Sequence, residues 1–189
     1  MDSALIISHS EKSIVYLTEI LNQVSLSAIT ALSNAGEARR LLIEKDFDLC
    51  IINAPLPDEF GESLARNIAA KGISQVILIV KADLYDEITE KTEDYGVITI
   101  AKPIHKPLLW SALKMANATN TKMRAMQSEN NKLLQKIEDI RMIDRAKCIL
   151  ISQLSMSEPE AHRYIEKQAM DMRLTRRDIA EEILKTYEI

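Results

Sequence analysis

The strongest constraint on the fold of this chain is an alternation of short apolar runs with helical patterns through about residue 115. Five runs have the length and composition of buried strands. They are Ala4–Ser8, Ala28–Leu32, Leu49–Asn53, Val76–Val80 and Val97–Ala101. Between them, apolar residues recur at intervals of three and four, as in amphipathic helices. This order predicts an α/β fold, a doubly wound five-stranded parallel sheet with helices on both faces.

A different pattern follows Pro107. No Pro or Gly occurs from Leu108 to Leu154, which predicts one long helix. Within it one set of residues has the alternating spacing of three and four that is typical of a coiled-coil seam. This set is Met123, Met126, Asn130, Leu133, Ile137 and Ile140. We expect it to form a homodimer, with Asn130 selecting the register, although Lys136 would then face Arg141 of the partner in a parallel pair. Packing within one chain is the alternative.

The C-terminal part predicts two more helices. Ser157 and Thr175 are candidate N-caps, each followed three residues later by an acidic residue. With the end of the long helix they predict a small three-helix bundle. We therefore divide the chain into a domain over residues 1–117, a coiled-coil segment over 118–145 and a bundle over 146–189.

Charge and composition exclude several classes of protein. The chain of 189 residues has a formal net charge of −4, divided as −5 for residues 1–117 and +1 for the remainder. A bulk basic nucleic-acid binder is therefore excluded, and any such site must be a local patch. The four glycines are isolated, so no phosphate-binding loop is present. We expect no enzymatic activity and no cofactor.

Cysteine usage and the N-terminus indicate where the chain works. Cys50 and Cys148 lack metal-ligand spacing, which predicts two reduced thiols and no metal site. No apolar run approaches the roughly 20 residues that span a bilayer. Residues 1–7 do not have the pattern of a signal peptide. We expect a cytoplasmic protein without a membrane contact.

Ligand sites in doubly wound sheets lie at the carboxyl ends of the strands. In this chain those positions hold Ser8, His9, Asn53, Lys81 and Lys102. With the strand order, with Pro57 and Gly61 after Asn53, and with Pro103 after Lys102, residues 1–115 resemble the receiver domain of bacterial response regulators.

The resemblance implies a phosphoacceptor aspartate, an acidic pair for Mg²⁺, a hydroxyl residue and a lysine. Asn53 stands at the aspartate position, Ser8 and His9 occupy the acidic stretch, Lys81 replaces the hydroxyl residue, and only Lys102 matches. An amide is not a competent nucleophile, and a net positive pocket repels Mg²⁺. We therefore expect a degenerate receiver that acts without phosphorylation.

The segment from Ile140 to Leu184 resembles the ANTAR domain, the RNA-binding module of bacterial transcription antiterminators. The resemblance rests on Ala146-Lys147, Glu160-Ala161, Ala169-Met170, Arg173 and Ile183-Leu184, among others. Loop bases of RNA stack on aromatic or guanidinium planes, and cations contact the phosphates. The candidate RNA-binding residues are Lys147, Arg163, Tyr164, Lys167, Arg173, Arg176 and Arg177. Tyr164 shares a helical face with Ile165, so a core position is its alternative.

The combined interpretation is an antiterminator-type regulator that binds paired hairpins in a leader transcript. Its input would be a protein partner at the receiver-like domain, the RNA itself, or none. Two alternatives stay open. One is a DNA-binding regulator with a helix-turn-helix in the tail, and the other is a protein-interaction module without nucleic acid.

Overall fold

The computed structural model describes residues 1–24, 26–72 and 74–187. The chain forms two compact units, Met1–Arg124 and Ala125–Ile189. The first unit extends past residue 117, the boundary placed from the sequence, because Asn120 and Arg124 both contact Asp48, which immediately precedes the third strand.

The first unit contains a five-stranded parallel sheet with the order β2-β1-β3-β4-β5. The prediction of a doubly wound sheet is confirmed, and each predicted strand lies within one residue of the observed one. The strands are β1 (Ser3–Ile7), β2 (Ala28–Leu32), β3 (Leu49–Asn53), β4 (Gln75–Lys81) and β5 (Ile98–Lys102).

Helices cover both faces of this sheet, which explains why its central strands are apolar throughout. The elements are α1 (Glu11–Leu21), α2 (Ala35–Glu44), α3 (Glu62–Ala70), α4 (Tyr85–Thr92) and α5 (Lys106–Leu154). One apolar core lies between the sheet and α2, α3 and α4. A second core lies between the opposite face and α1 with the first turns of α5. Alternate residues of β3 enter the two cores, so β3 is buried from end to end.

Helix α5 is continuous over 49 residues, as the absence of Pro and Gly predicts. Its C-terminal part forms a three-helix bundle with α6 (Glu158–Met172) and α7 (Arg176–Tyr187). The bundle core contains Ala146 and Leu150 of α5, Ala161, Ile165 and Ala169 of α6, and Ile179, Ala180, Ile183 and Leu184 of α7. The predicted bundle is therefore confirmed.

Both predicted N-caps of the bundle are present. The Glu160 carboxylate accepts hydrogen bonds from the backbone N–H and the hydroxyl of Ser157. The Asp178 carboxylate does the same for Thr175. These side chains satisfy backbone groups that have no partner within the helix, which fixes where α6 and α7 begin. Within residues 1–24, 26–72 and 74–187, no helix has the length and apolarity needed to cross a membrane.

Candidate functional site

The carboxyl ends of β1 and β3 bring Ser8 and Asn53 together. The Asn53 side-chain Nδ2 donates to Ser8 Oγ at 2.9 Å. Both residues are buried, and Asn53 is 6% exposed. Ser8 Oγ also accepts from the backbone N–H of Ser10 at 3.2 Å. The position at the end of β3 is therefore occupied by a neutral amide bound to a hydroxyl group.

Two lysines lie beside this pair. Lys81 and Lys102 are register partners at the ends of β4 and β5. Lys102 Nζ donates to the backbone carbonyl of Ala54 at 2.6 Å. Burial, and after it the positive charge of Lys81, lowers the pKa of Lys102. Lys81 and His9 are exposed. The strand ends thus carry positive charge.

The nearby carboxylates have other partners. Asp58 accepts from the backbone N–H groups of Ala35 and Gly36 at 2.9 and 2.8 Å, at the N-terminus of α2. Hydrogen bonds from Ala35 and then Gly36 lower the pKa of Asp58. Asp48 lies at the opposite end of β3, where it accepts from Asp2, Ser3 and Arg124.

Receiver domains use Mg²⁺, and the residues at these strand ends do not fit that ion. Mg²⁺ requires several oxygen ligands, some of them anionic, whereas this site offers a hydroxyl, an amide and two ammonium groups. Among the described residues, no cluster of three or more His, Cys, Asp or Glu side chains could hold a metal ion.

The seven candidate RNA-binding residues form two groups. Three of them are ion-paired to neighbouring helices or turns. Lys147 contacts Asp144 and Glu158 at 2.8 and 2.9 Å. Arg176 contacts Glu166 at 3.2 Å, and Arg177 contacts Asp139 and Glu181 at 2.6 and 3.0 Å. Because Asp139 is on α5 and Arg177 is on α7, this ion pair links two helices of the bundle.

The second group lies on the outward face of α6 and at its end. Arg163, Tyr164, Lys167 and Arg173 are exposed. Tyr164 is 38% exposed, so the alternative of a core position is wrong; Ile165, one residue later, occupies the core. Arg173 closes α6 with a left-handed backbone conformation at φ 56°. This face therefore presents cations around an accessible aromatic ring.

The acidic residues near this face are largely engaged elsewhere. Glu158 pairs with Lys147, and Glu166 pairs with Arg176. One oxygen of Glu160 holds the α6 cap. These three carboxylates therefore interact with other groups and not with the cations of this face.

Comparison with known proteins identifies the second unit. Residues 131–184 match the ANTAR domain model, and this match covers all of the bundle core. Over 171 residues the chain is 28% identical to transcriptional regulatory protein PdtaR of Mycobacterium tuberculosis, in strains CDC 1551 and H37Rv. That alignment covers 90% of this chain and 83% of the relative.

Solved structures match the first unit. A signal receiver domain of an HD domain-containing protein from Pseudomonas fluorescens Pf-5 superimposes with a TM-score of 0.57 at 22% identity, covering 67% of this chain and 92% of that one. A response regulator receiver domain from Clostridium thermocellum gives 0.57 at 16% identity, covering 67% and 99%. These likenesses establish the receiver fold. The chain therefore carries an ANTAR domain in its second unit and the receiver fold in its first.

The predicted seam residues of α5 differ in their surroundings. Met123 lies within the first unit, where its sulfur accepts a hydrogen bond from Gln75 Nε2 at 3.3 Å. Met126, Leu133, Ile137 and Ile140 are 47–61% exposed, and Asn130 is also exposed. These side chains form an apolar stripe that is exposed along four helical turns. Within the described part of the second unit, the stripe has packing partners only near its C-terminal end.

Sequence reasoning missed two sets of residues. Arg124 and Asp48 form an ion pair at 2.5 Å that joins α5 to the amino end of β3. Their separation of 76 residues left no local signal. Leu154 and Met156 line a groove beside Tyr164. Their apolar character was visible, but only the turn between α5 and α6 brings them to that face.

Proposed function

We propose that this chain is an RNA-binding transcription antitermination regulator whose receiver-like domain acts without phosphorylation. The observation that carries the proposal is the ANTAR match on a bundle that presents an exposed tyrosine and cations without an ion pair to any described carboxylate. The activity is binding rather than catalysis. The name of the mycobacterial relative, a transcriptional regulatory protein, supports the same biological role.

RNA is the partner that the α6 face suits best. Single-stranded loops bind proteins by stacking on aromatic or guanidinium planes, with cations on the phosphates. Arg163, Lys167 and Arg173 provide the cations and Tyr164 the ring. Lys147, Arg176 and Arg177 contribute mainly to the bundle, since each guanidinium or ammonium group already has a carboxylate partner. The modest number of available cations predicts a modest, salt-dependent affinity for one hairpin.

Independence from phosphorylation is supported by the strand-end chemistry. Phosphoryl transfer to a receiver requires a carboxylate nucleophile and a bound cation. Asn53 offers an amide that already donates to Ser8, and Lys81 with Lys102 makes the surroundings positive. The receiver-like unit would then transmit a signal through its surface, by contact with a protein partner.

Dimerisation through α5 is supported by the exposed apolar stripe. Large apolar side chains in such a row favour burial against a second copy. A dimer would carry two bundles, and paired hairpins in one transcript would bind with avidity.

A direct test compares nucleic acids as ligands of the full-length protein. A pool of RNA hairpins with a fixed stem and a randomised loop is selected on the protein, and the enriched hairpin is compared with duplex DNA of equal length by filter binding. We expect preference for the hairpin. Stronger binding to duplex DNA would favour a helix-turn-helix regulator, and binding to neither would favour a protein-interaction module; both results contradict the proposal.

A further inference from the structure

A groove crosses the bundle surface where α5 passes into α6. Residues 154–156 form one wall, and the α6 side chains Glu160, Arg163, Tyr164 and Lys167 form the other. Ser155 has a left-handed backbone conformation, with φ 53°, which turns the chain so that Leu154 and Met156 both border the groove. Leu154 is 44% exposed, whereas Met156 packs partly on the bundle core. The groove therefore has an apolar side and an aromatic side.

The charges at the rim of the groove favour a polyanionic occupant. Arg163 and Lys167 lie one turn apart on α6, so their side chains are on the same face. Neither forms an ion pair with a described carboxylate. Glu160 is the acidic residue in the lining, and its hydrogen bonds from the Ser157 side chain and backbone hold its carboxylate at the α6 cap and lower its pKa. A nucleotide matches both features of the groove, since its planar base can stack on the aromatic ring while its phosphate contacts the cations.

We propose that this groove is a nucleobase-binding subsite, in which an unpaired loop base of RNA stacks on Tyr164 while Arg163 and Lys167 contact the flanking phosphates. This assignment rests on the proposed RNA-binding function and adds the residue that reads the loop. Base stacking on an aromatic ring tolerates loss of the phenol hydroxyl but not loss of the ring. Tyr164 is thus expected to act through its ring plane.

The test measures binding of the selected hairpin to full-length variants. We expect Tyr164→Ala to weaken binding at least fivefold and Tyr164→Phe to stay within about twofold of wild type. Lys185→Ala, which removes an exposed cation of α7 outside the groove, is the matched control and should also stay within about twofold. The double variant Arg163→Ala/Lys167→Ala should reduce the steepness with which affinity falls as salt rises, by about 0.7 in log–log slope per lost contact. Thermal unfolding of each variant by circular dichroism checks that the bundle is intact.

A second readout follows the base itself. The hairpin is prepared with 2-aminopurine at each loop position in turn. At one position, wild type and Tyr164→Phe should quench the fluorescence on binding, whereas Tyr164→Ala should not. Equal affinity of Tyr164→Ala and wild type, or an equal loss in Tyr164→Phe and Tyr164→Ala, overturns the subsite while leaving RNA binding in place. If wild type enriches no hairpin at all, the proposed function itself fails.

Discussion

At the scale of single residues, the side chain at the end of β3 supports the proposal that the first unit acts without phosphorylation. Asn53 is buried and its amide donates to Ser8, which is itself buried. Substitution of Asn53 by Asp would place a carboxylate there. It would supply neither the acidic pair for Mg²⁺ nor the hydroxyl residue, because Ser8, His9 and Lys81 occupy those positions. The proposed loss of phosphorylation chemistry therefore involves the ends of several strands.

Asn53→Asp is therefore expected to remain unphosphorylated. The variant and wild type are incubated with acetyl phosphate and Mg²⁺ and then examined by intact-protein mass spectrometry. Neither should gain the mass of a phosphoryl group, since the donor set cannot hold the cation. Asn53→Ala serves as the control for non-specific modification. Phosphorylation of wild type on an aspartate would refute the degenerate-receiver proposal.

A second residue-scale prediction concerns Asp48. Burial opposes its ionisation, but hydrogen bonds from the backbone of Asp2 and Ser3, with the charge of Arg124, together outweigh it and bring the pKa below the usual 3.8. A carboxylate with a depressed pKa stabilises the fold fully above its unfolded-state pKa, and that contribution is lost as the pH falls through the folded-state pKa. The ion pair with Arg124 therefore stabilises the fold at neutral pH, and this stabilisation is lost in acid.

Asp48→Asn should lower the free energy of unfolding by about 1–3 kcal/mol at pH 7, because charged hydrogen bonds to a buried acceptor are weakened. Urea unfolding at pH 7 and pH 3 provides the measurement, and Asp46→Asn, at an exposed neighbouring position, is the matched control. The difference from wild type should shrink at pH 3. A difference of equal size at both pH values would contradict the assigned role of the carboxylate.

At the scale of elements, α5 performs different tasks along its length. Its first turns close one core of the sheet through Leu109, Ala112, Leu113 and Ala116. Its last turns supply Ala146 and Leu150 to the bundle. Between these parts lies the exposed apolar stripe, and an uninterrupted helix is the simplest way to connect two cores while keeping one face available for a second chain.

Leu133→Glu/Ile137→Glu is expected to convert a dimer into a monomer, since it places charge at neighbouring seam positions. Sedimentation velocity of the full-length protein measures the change. Lys132→Glu, next to the seam but outside it, is the control and should remain dimeric. A wild-type protein that sediments as a monomer at tens of micromolar would instead favour packing of α5 within one chain.

At the scale of the whole molecule, two bundles in one dimer would gain affinity by binding two hairpins of one transcript. The second binding event becomes intramolecular, which strengthens the complex without new contacts. The increase in affinity is therefore a property of the dimer and not of a single bundle.

An RNA with two copies of the selected hairpin should bind wild type at least tenfold more tightly than an RNA with one copy. Leu133→Glu/Ile137→Glu should lose this excess and keep its affinity for the single hairpin. Electrophoretic mobility shift at fixed salt gives both values. An equal excess in the variant would show that dimerisation does not provide the avidity.

The sequence by itself determined the α/β class, the five strands, the long helix and the two caps of the bundle, because hydrophobic periodicity, Pro and Gly spacing and capping residues are local signals. It also located Asn53, since the ends of parallel strands converge in any such sheet. Only the tertiary structure distinguished the cations that are paired from those that remain accessible near Tyr164. Arg177, for example, pairs with Asp139, which precedes it by 38 residues. That distinction depends on which carboxylate comes within a few ångströms, a distance that no local pattern specifies.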